Sequence, residues 1–305
     1  MGKNVGAPKD LRVHYEKREV MTAILFLLPT MLLLIFFCYY PAFSAIKGSF
    51  YKWDGFNDPK WRGLKNYEKL FKDDVFILSL KNVFKWAVGS IAVSMLAPMI
   101  GALMIFNLKN KKIQYWYRVA FVLPMVVPAV VTIQIWTFLY NPNIGVINQL
   151  LRAIGLDSLA HNWLGETSLV IPSLVFVGFP WISGFNLLIY YAGLQSISSD
   201  VLEYAEIDGC TGWNKIRYIQ LPLILGQVKL LLILGLINTL QNITLPLLMT
   251  NGGPAYDSYT PGLYMYFQAF RLGSYSMANT IATVMFVIIM ALTLLSTRLK
   301  SKVDQ

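Results

Sequence analysis

The chain has 305 residues, of which 56% are hydrophobic and only 14% are charged, and its formal net charge is +10. Soluble domains average about 45–50% apolar and about 25% charged residues, so this composition excludes an ordinary soluble protein and favours a membrane protein. The basic residues lie mainly at the edges of apolar runs, which is typical of charges that orient a protein in a membrane. This placement argues against nucleic-acid binding.

Six stretches without Asp, Glu, Lys or Arg are long enough to cross a bilayer, whose core of about 30 Å requires about 20 helical residues. They are residues 20–46, 86–108, 119–151, 167–199, 230–256 and 272–297. In lipid, the backbone N–H and C=O groups of a single segment can form hydrogen bonds only within a helix of that segment. None of the stretches alternates apolar and polar residues as a barrel strand would. The sequence predicts an all-α, polytopic membrane protein with six transmembrane helices.

The Lys and Arg residues between the spans predict that both termini lie in the cytoplasm. The later outside loops each hold one basic residue, Arg152 or Arg271, but the first outside loop is rich in lysine. We therefore expect a cytoplasmic tail at residues 1–19, a six-span domain at 20–298 and a second cytoplasmic tail at 299–305. The polar loop at about 199–222 then lies in the cytoplasm, between spans four and five.

That loop contains the stretch "EYAEIDGCTGWNKIRYIQLP". Asp200 and Glu203 fit an N-terminal capping pair, and Gly209 is suited to end the short amphipathic helix that follows. Two short helices joined at a glycine form a projection that fits a groove on a soluble partner. The alternative is an interfacial helix that rests on lipid, but anionic headgroups would repel the acidic cluster of Glu203, Glu206 and Asp208.

The same stretch resembles the cytoplasmic loop of binding-protein-dependent ABC importer permeases. The family pattern is E-A-A, three residues, G, nine residues, I, one residue, L-P; here Tyr204 replaces the middle alanine. In that family the loop docks on the ATPase subunit, so the resemblance implies an ATPase-coupling role for this stretch. The residues concerned are Glu203, Ala205, Glu206, Asp208, Gly209, Leu221 and Pro222.

Further stretches resemble the sugar-importing, maltose-type branch of that family. They are residues 63–86, 123–148, 163–165 and 250–270, and together they extend over nearly the whole chain after residue 20. The resemblance implies a permease for a sugar or oligosaccharide in the cytoplasmic membrane of a bacterium or archaeon. It also implies three kinds of partner: a second homologous permease, two copies of an ABC ATPase, and an extracellular solute-binding protein.

The chain contains no G-x-x-x-x-G-K-[ST] motif and therefore predicts no nucleotide site of its own. It also shows no metal-binding motif and no catalytic motif. We expect no cofactor and no enzymatic activity on this chain, with ATP and Mg²⁺ bound by the separate ATPase.

Two groups of residues are candidates for the substrate pathway. Asn238, Gln241 and Asn242 are spaced to share one helix face in span five, where amides are costly against lipid and able to bind hydroxyl groups. Trp181 and Phe185, four residues apart in span four, are suited to stack on a sugar ring. The alternatives are hydrogen bonds between helices for the amides, and core or lipid contacts for the aromatic pair.

Two other functions remain open from the sequence. The same importer class with another cargo, such as a glycerol phosphate ester or an amino acid, has one argument, which is the intramembrane charge of Lys229. That side chain is also placed to reach the cytoplasmic interface. A stand-alone secondary transporter is disfavoured because no Asp or Glu lies within any span, whereas ion-coupled transporters use such acids.

Overall fold

The computed structural model describes residues 17–298, so most of the predicted tail 1–19 and all of the tail 299–305 lie outside it. The chain divides into two compact units after residue 47. The first unit is one apolar helical run, made of α1 (Lys17–Leu34), a π-helical turn (Ile35–Tyr39) and α2 (Tyr40–Gly48). Its apolar side chains are exposed along its length, as expected of a helix that faces lipid.

In its described residues, 48–298, the second unit contains helices and one antiparallel strand pair, β1 (Tyr51–Lys52) and β2 (Lys60–Trp61). Its helices in chain order are α3 (Lys65–Phe71), α4 (Asp74–Phe106), α5 (Lys111–Val122), α6 (Ala129–Leu139), α7 (Val146–Ala153), α8 (Val170–Phe176), α9 (Gly184–Gln195), α10 (Ser199–Ile207), α11 (Gly212–Lys215), α12 (Leu221–Leu223), α13 (Leu225–Gln241), α14 (Thr244–Thr250), α15 (Pro261–Phe270) and α16 (Tyr275–Arg298). A π-helical turn, Ile216–Gln220, joins α11 to α12.

Helix α4 organises the packing of this unit, because α8, α9 and α13 all pack against it. Its last turns join α9 and the start of α13 in one apolar cluster that includes Leu103, Leu187 and Ile224, all of them buried. A second cluster joins the first turns of α4 to α15 and α16. The long helix therefore connects both ends of the unit.

Among the described residues, three helices are long and apolar enough to cross a membrane: Met21–Gly48, Asp74–Phe106 and Tyr275–Ser296. They correspond to the first, second and sixth predicted spans. Two bent helix pairs raise the number to as many as five: Lys111–Val126 with Ala129–Leu139, bent by 86°, and Gly212–Leu223 with Leu225–Gln241, bent by 63°. The all-α multi-span fold is confirmed for residues 17–298, and the count of six stays a prediction.

The third, fourth and fifth predicted spans contain breaks that hydropathy does not reveal. In the third, Val127 is extended (ψ 126°) because the following Pro128 disfavours the helical conformation. In the fourth, α8 and α9 are separated by residues 177–183, where the Phe179–Pro180 bond is cis and Trp181 has a positive φ. In the fifth, α13 ends at Gln241, so the prediction that Asn242 continues that helix is wrong.

Candidate functional site

A cavity of about 380 Å³ lies where α4, α13 and the break between α8 and α9 meet. Four of the five residues proposed for the substrate pathway line it: Trp181, Phe185, Asn238 and Asn242. Its volume is within the range of about 300–1,000 Å³ that is usual for small-molecule sites. Residues that are far apart in the chain are thus brought to one place by the helix break.

The two asparagines differ in what they offer a ligand. The carboxamide of Asn238, an exposed residue near the end of α13, makes no hydrogen bond with any residue that the structure describes. Asn242 lies between α13 and α14, and its Oδ1 accepts a hydrogen bond of 3.2 Å from the backbone N–H of Leu245 in the first turn of α14. Asn238 therefore presents both a donor and an acceptor to the cavity, whereas Asn242 retains its donor.

The aromatic pair is unequal as well. Trp181 is held in place, because its Nε1 donates to the carbonyl of Val175 at 2.9 Å and its ring meets the rings of Phe176 and Phe179 edge to face. Phe185 is 47% exposed. Trp181 thus contributes a fixed apolar surface, and Phe185 contributes an accessible ring.

Gln241 is separated from this group. It lines a different cavity, beside Gly262 and Phe286, although it lies only three residues after Asn238 in α13. Residues that the sequence analysis did not single out also line the main cavity, among them Trp86, Ser90 and Ser94 of α4. Their spacing of four residues is a signal that could have identified this face of α4.

The polar loop folds as two short helices, as predicted, but its first cap differs from the prediction. Helix α10 begins after Ser198, whose Oγ accepts from the backbone N–H of Val201, so the expected capping role of Asp200 is wrong. Asp200 instead lies in the first turn, where a carboxylate favours the positive end of the helix dipole. Gly209 follows α10 with φ of 74°, the left-handed conformation in which glycine is unstrained.

The loop combines acidic and apolar groups on its surface. Glu203, Glu206 and Asp208 are exposed, whereas Ala205 is buried beneath them. Glu206 accepts a hydrogen bond of 2.7 Å from Lys215, and this bond and the lysine charge lower the pKa of the glutamate. The ion pair connects α10 to α11 across the Gly209 turn.

Large apolar side chains are exposed on the same loop, including Ile207 at 80% and Trp213 at 68%. Leu221 and Pro222 are half-buried, where the loop meets the helical unit. Exposed apolar groups beside charged ones are typical of a surface that binds another protein.

A pair of amides joins this loop to the end of α4. Asn107 Nδ2 donates to Gln220 Oε1 at 3.0 Å, and Gln220 Nε2 donates to Asn107 Oδ1 at 3.0 Å. Gln220 is fully buried, and Asn107 Nδ2 also bonds to the carbonyl of Leu103. The two reciprocal bonds fix the π-helical turn against the helix that lines the cavity.

Comparison with known proteins identifies the family of the chain. Residues 94–305 match the family model described as binding-protein-dependent transport system inner membrane component. YurN of Bacillus subtilis (strain 168), a probable ABC transporter permease, is 33% identical over 89% of this chain and 93% of its own length. The diacetylchitobiose uptake system permease NgcF of Streptomyces coelicolor is 27% identical over 95% of this chain and 83% of its own.

The fold also matches a solved structure. One chain of a bacterial alginate ABC transporter, crystallised in complex with an alginate pentasaccharide-bound periplasmic protein, superposes with a TM-score of 0.81. The match covers 95% of this chain and 96% of that one at 24% identity. The family match and the YurN similarity each extend over more than half of the sequence, and the chain therefore belongs to the family of binding-protein-dependent transport system inner membrane components.

Proposed function

We propose that this permease forms the membrane pathway of an ATP-driven importer that moves a sugar or oligosaccharide from an extracellular binding protein into the cytoplasm. The choice of cargo rests on one observation. The same cavity is lined by Trp181, Phe185 and Asn238, whose carboxamide makes no hydrogen bond with the described residues. Carboxamides bind hydroxyl groups, and aromatic rings pack against the C–H faces of a sugar ring. The diacetylchitobiose permease among the similar proteins supports the same class of cargo.

The loop 199–222 is the docking element for the ATPase in this proposal. Its exposed Ile207 and Trp213 supply apolar contact area, and its exposed acids Glu203 and Asp208 favour a groove with basic groups. A second permease of similar fold completes the pathway, and two ATPase copies bind ATP with Mg²⁺. Closure of the ATPases then displaces the loop, and the pathway alternates between outward and inward access.

An anionic cargo, such as a glycerol phosphate ester, is the second candidate, and Lys229 is its only argument. Lys229 is half-buried in the second turn of α13, but it is not among the residues that line the cavity. Uptake of labelled sugars compared with labelled phosphate esters distinguishes these two cargoes.

The assembly is tested by native mass spectrometry of the tagged protein, extracted from its own membrane under mild conditions. We expect a second permease and two copies of a P-loop ATPase to be retained. Gly209→Asp should lose the ATPase and abolish uptake while the chain still inserts, because it adds a side chain at an exposed turn where glycine allows the ATPase surface to approach the backbone closely. A single chain or homo-oligomer that still transports would overturn the proposal.

Gly155→Asp is the matched control for this variant. Gly155 has φ of 76°, against 74° at Gly209, and an added Cβ meets no atom within 4 Å at either position. The two substitutions therefore carry the same local backbone strain, which aspartate partly tolerates. If Gly155→Asp impaired the complex equally, the effect of Gly209→Asp would be strain rather than lost docking.

A further inference from the structure

The first predicted outside loop departs from the charge pattern of the rest of the chain. Outside loops normally carry few Lys and Arg residues, yet this one holds Lys47, Lys52, Lys60, Arg62, Lys65, Lys69 and Lys72. Its strand pair and the turn before α16 enclose a cavity of about 610 Å³. Four of the cations line it: Lys52, Lys60, Arg62 and Lys69.

These four cations are not neutralised within the protein. Within residues 17–298, none of them takes part in an ion pair. Asp54 and Asp58 also line the cavity, but Asp54 serves its own turn, where Asn57 and Phe56 donate to it and lower its pKa to about 2. Neighbouring unpaired cations repel each other, so the cavity favours an acidic partner.

The walls of the cavity are held in place by hydrogen bonds. Buried Asn66 donates to the carbonyls of Ser49 and Tyr51 at 2.7 and 2.8 Å, which fixes the base of β1. On the opposite side, Ser276 of α16 bonds to both backbone groups of Trp53. The cationic surface is thus preorganised and joined to a membrane-spanning helix, which lowers the ordering cost of binding.

Exposed aromatic side chains lie on the same strand pair and on the turn that joins its strands. Phe56, in the turn between the strands, is 93% exposed, and Trp61 of β2 is 67% exposed. Aromatic and arginine side chains are the commonest energetic centres of protein interfaces. Aromatic groups around a cationic cavity are therefore typical of a surface that binds a protein.

We propose that this cavity is a docking site for carboxylate groups on an acidic face of the extracellular solute-binding protein. The proposal rests on the importer function proposed above and adds the chemistry of one of its contacts. Four cations and two carboxylates leave the cavity with a net positive charge, and the exposed rings of Phe56 and Trp61 beside it favour a protein partner over a lipid headgroup. Docking here would transmit through Ser276 to α16.

The experiment measures binding of the solute-binding protein that co-purifies with the complex. The assembled complex is placed in nanodiscs of phosphatidylcholine and phosphatidylglycerol, and the Kd is measured at low and high salt. The test variant is Lys60→Glu with Arg62→Glu. The matched control is Lys65→Glu with Lys72→Glu, which makes the same charge change on exposed residues of the same loop that do not line the cavity.

We expect the test variant to raise the Kd about tenfold at low salt, mainly through slower association, and the control to change it little. At about 1 M salt, where the Debye length is about 3 Å, the difference should vanish. Unchanged binding by the test variant, or equal weakening in both variants, overturns the docking site but leaves the importer function standing. A wild-type complex that binds no solute-binding protein contradicts both proposals.

Lipid binding is the remaining outcome. If the test variant bound the protein normally and lost only retained phosphatidylglycerol, as measured by native mass spectrometry, the cavity would be a lipid site and the proposal would be wrong.

Discussion

The carboxamide of Asn238 is left without a hydrogen bond to the described chain, while its neighbours in the cavity use theirs. Asn186 donates to the carbonyl of Ser94 at 2.9 Å, and Asn242 accepts from Leu245. In the proposed importer, an amide that the fold does not use is the group best placed to bind a cargo hydroxyl. The structure thus ranks the candidates that spacing alone had treated as equal.

Replacing Asn238 with alanine should raise the KM for sugar uptake by up to about tenfold, because one net hydrogen bond contributes about 0.5–1.5 kcal/mol. Gln241→Ala is the matched control, since it removes an exposed amide from the same helix but from a different cavity. Uptake kinetics in proteoliposomes provide the measurement. If the two variants changed KM equally, Asn238 would have no special role in the pathway.

The sequence predicts the amide and aromatic residue types of this cavity, but it does not predict which of the three amides line it. Helical spacing grouped Asn238 with Gln241 and Asn242, which requires the helix to continue past residue 241. Asn242 instead bonds to the first turn of α14, as asparagine does readily near a helix start. Competition between continuing one helix and capping the next depends on tertiary packing, which spacing does not contain.

At the scale of elements, the loop 199–222 and α4 are joined through the Asn107–Gln220 amide pair. Helix α4 continues from Asn107 back through Ser94, Ser90 and Trp86, which line the cavity. In the proposed importer, a displacement of the loop would therefore be passed along α4 to the cavity wall. The apolar cluster around Leu103 and Ile224 supports the same contact. Apolar packing fixes the position of the loop along α4 less strictly than two directional amide hydrogen bonds do.

Gln220→Leu should lower the number of sugar molecules transported per ATP hydrolysed several-fold, because the loop loses its fixed register on α4. The measurement is uptake and ATP hydrolysis in the same proteoliposomes. Gln114→Leu is the control, since it also removes a buried amide, bonded to Tyr191 and two backbone carbonyls, but one that does not touch the loop.

A purely structural effect is separated by the double variant Asn107→Leu with Gln220→Leu. Removing both partners leaves no unsatisfied amide and should restore stability in part. If transport per ATP recovered together with stability, the pair would be a packing feature and not a coupling contact.

Local sequence predicts that a helix forms more reliably than it predicts the residues at which the helix begins and ends. Gly209 was correctly expected to end α10, because a turn with positive φ narrows the choice of residue. The start of the same helix had two acceptable caps, Ser198 and Asp200, and sequence alone does not choose between them. Hydropathy does not reveal the break at residues 177–183, because its residues are as apolar as a continuous span; Gly178 and Pro180 are the signal in the sequence that indicates it.

At the scale of the whole molecule, the predicted orientation places residues 158 and 210 on opposite sides of the membrane. Each is accessible at least in part, Ser158 in an exposed turn and Cys210 in the polar loop. In a Cys38→Ser background, a membrane-impermeant maleimide should modify Cys210 only in inside-out vesicles. Ser158→Cys, combined with Cys210→Ser, should react only from the outside of intact cells.

Labelling of both positions from the same side would contradict the six-span count, because the fourth predicted span lies between them. That span is the one for which the structure shows neither a long helix nor a bent pair within residues 17–298. Hydropathy predicted the class of the fold because burial in lipid selects apolar residues whatever their local geometry. It did not predict the breaks, which depend on proline position and on packing against α4.

The helix break at residues 177–183 also has a consequence for water. Peptide groups released from a helix need other partners, and within a bilayer unpaired groups are tolerated only against protein or in a hydrated space. Some pair locally, as Trp181 N–H does with the carbonyl of Gly178 at 2.8 Å. Water in the cavity can satisfy groups that lack a partner in the chain, so in the proposed importer a sugar entering it would exchange bulk hydration for bridging waters. Weak, hydrated contact of this kind would let the cargo leave as readily as it enters.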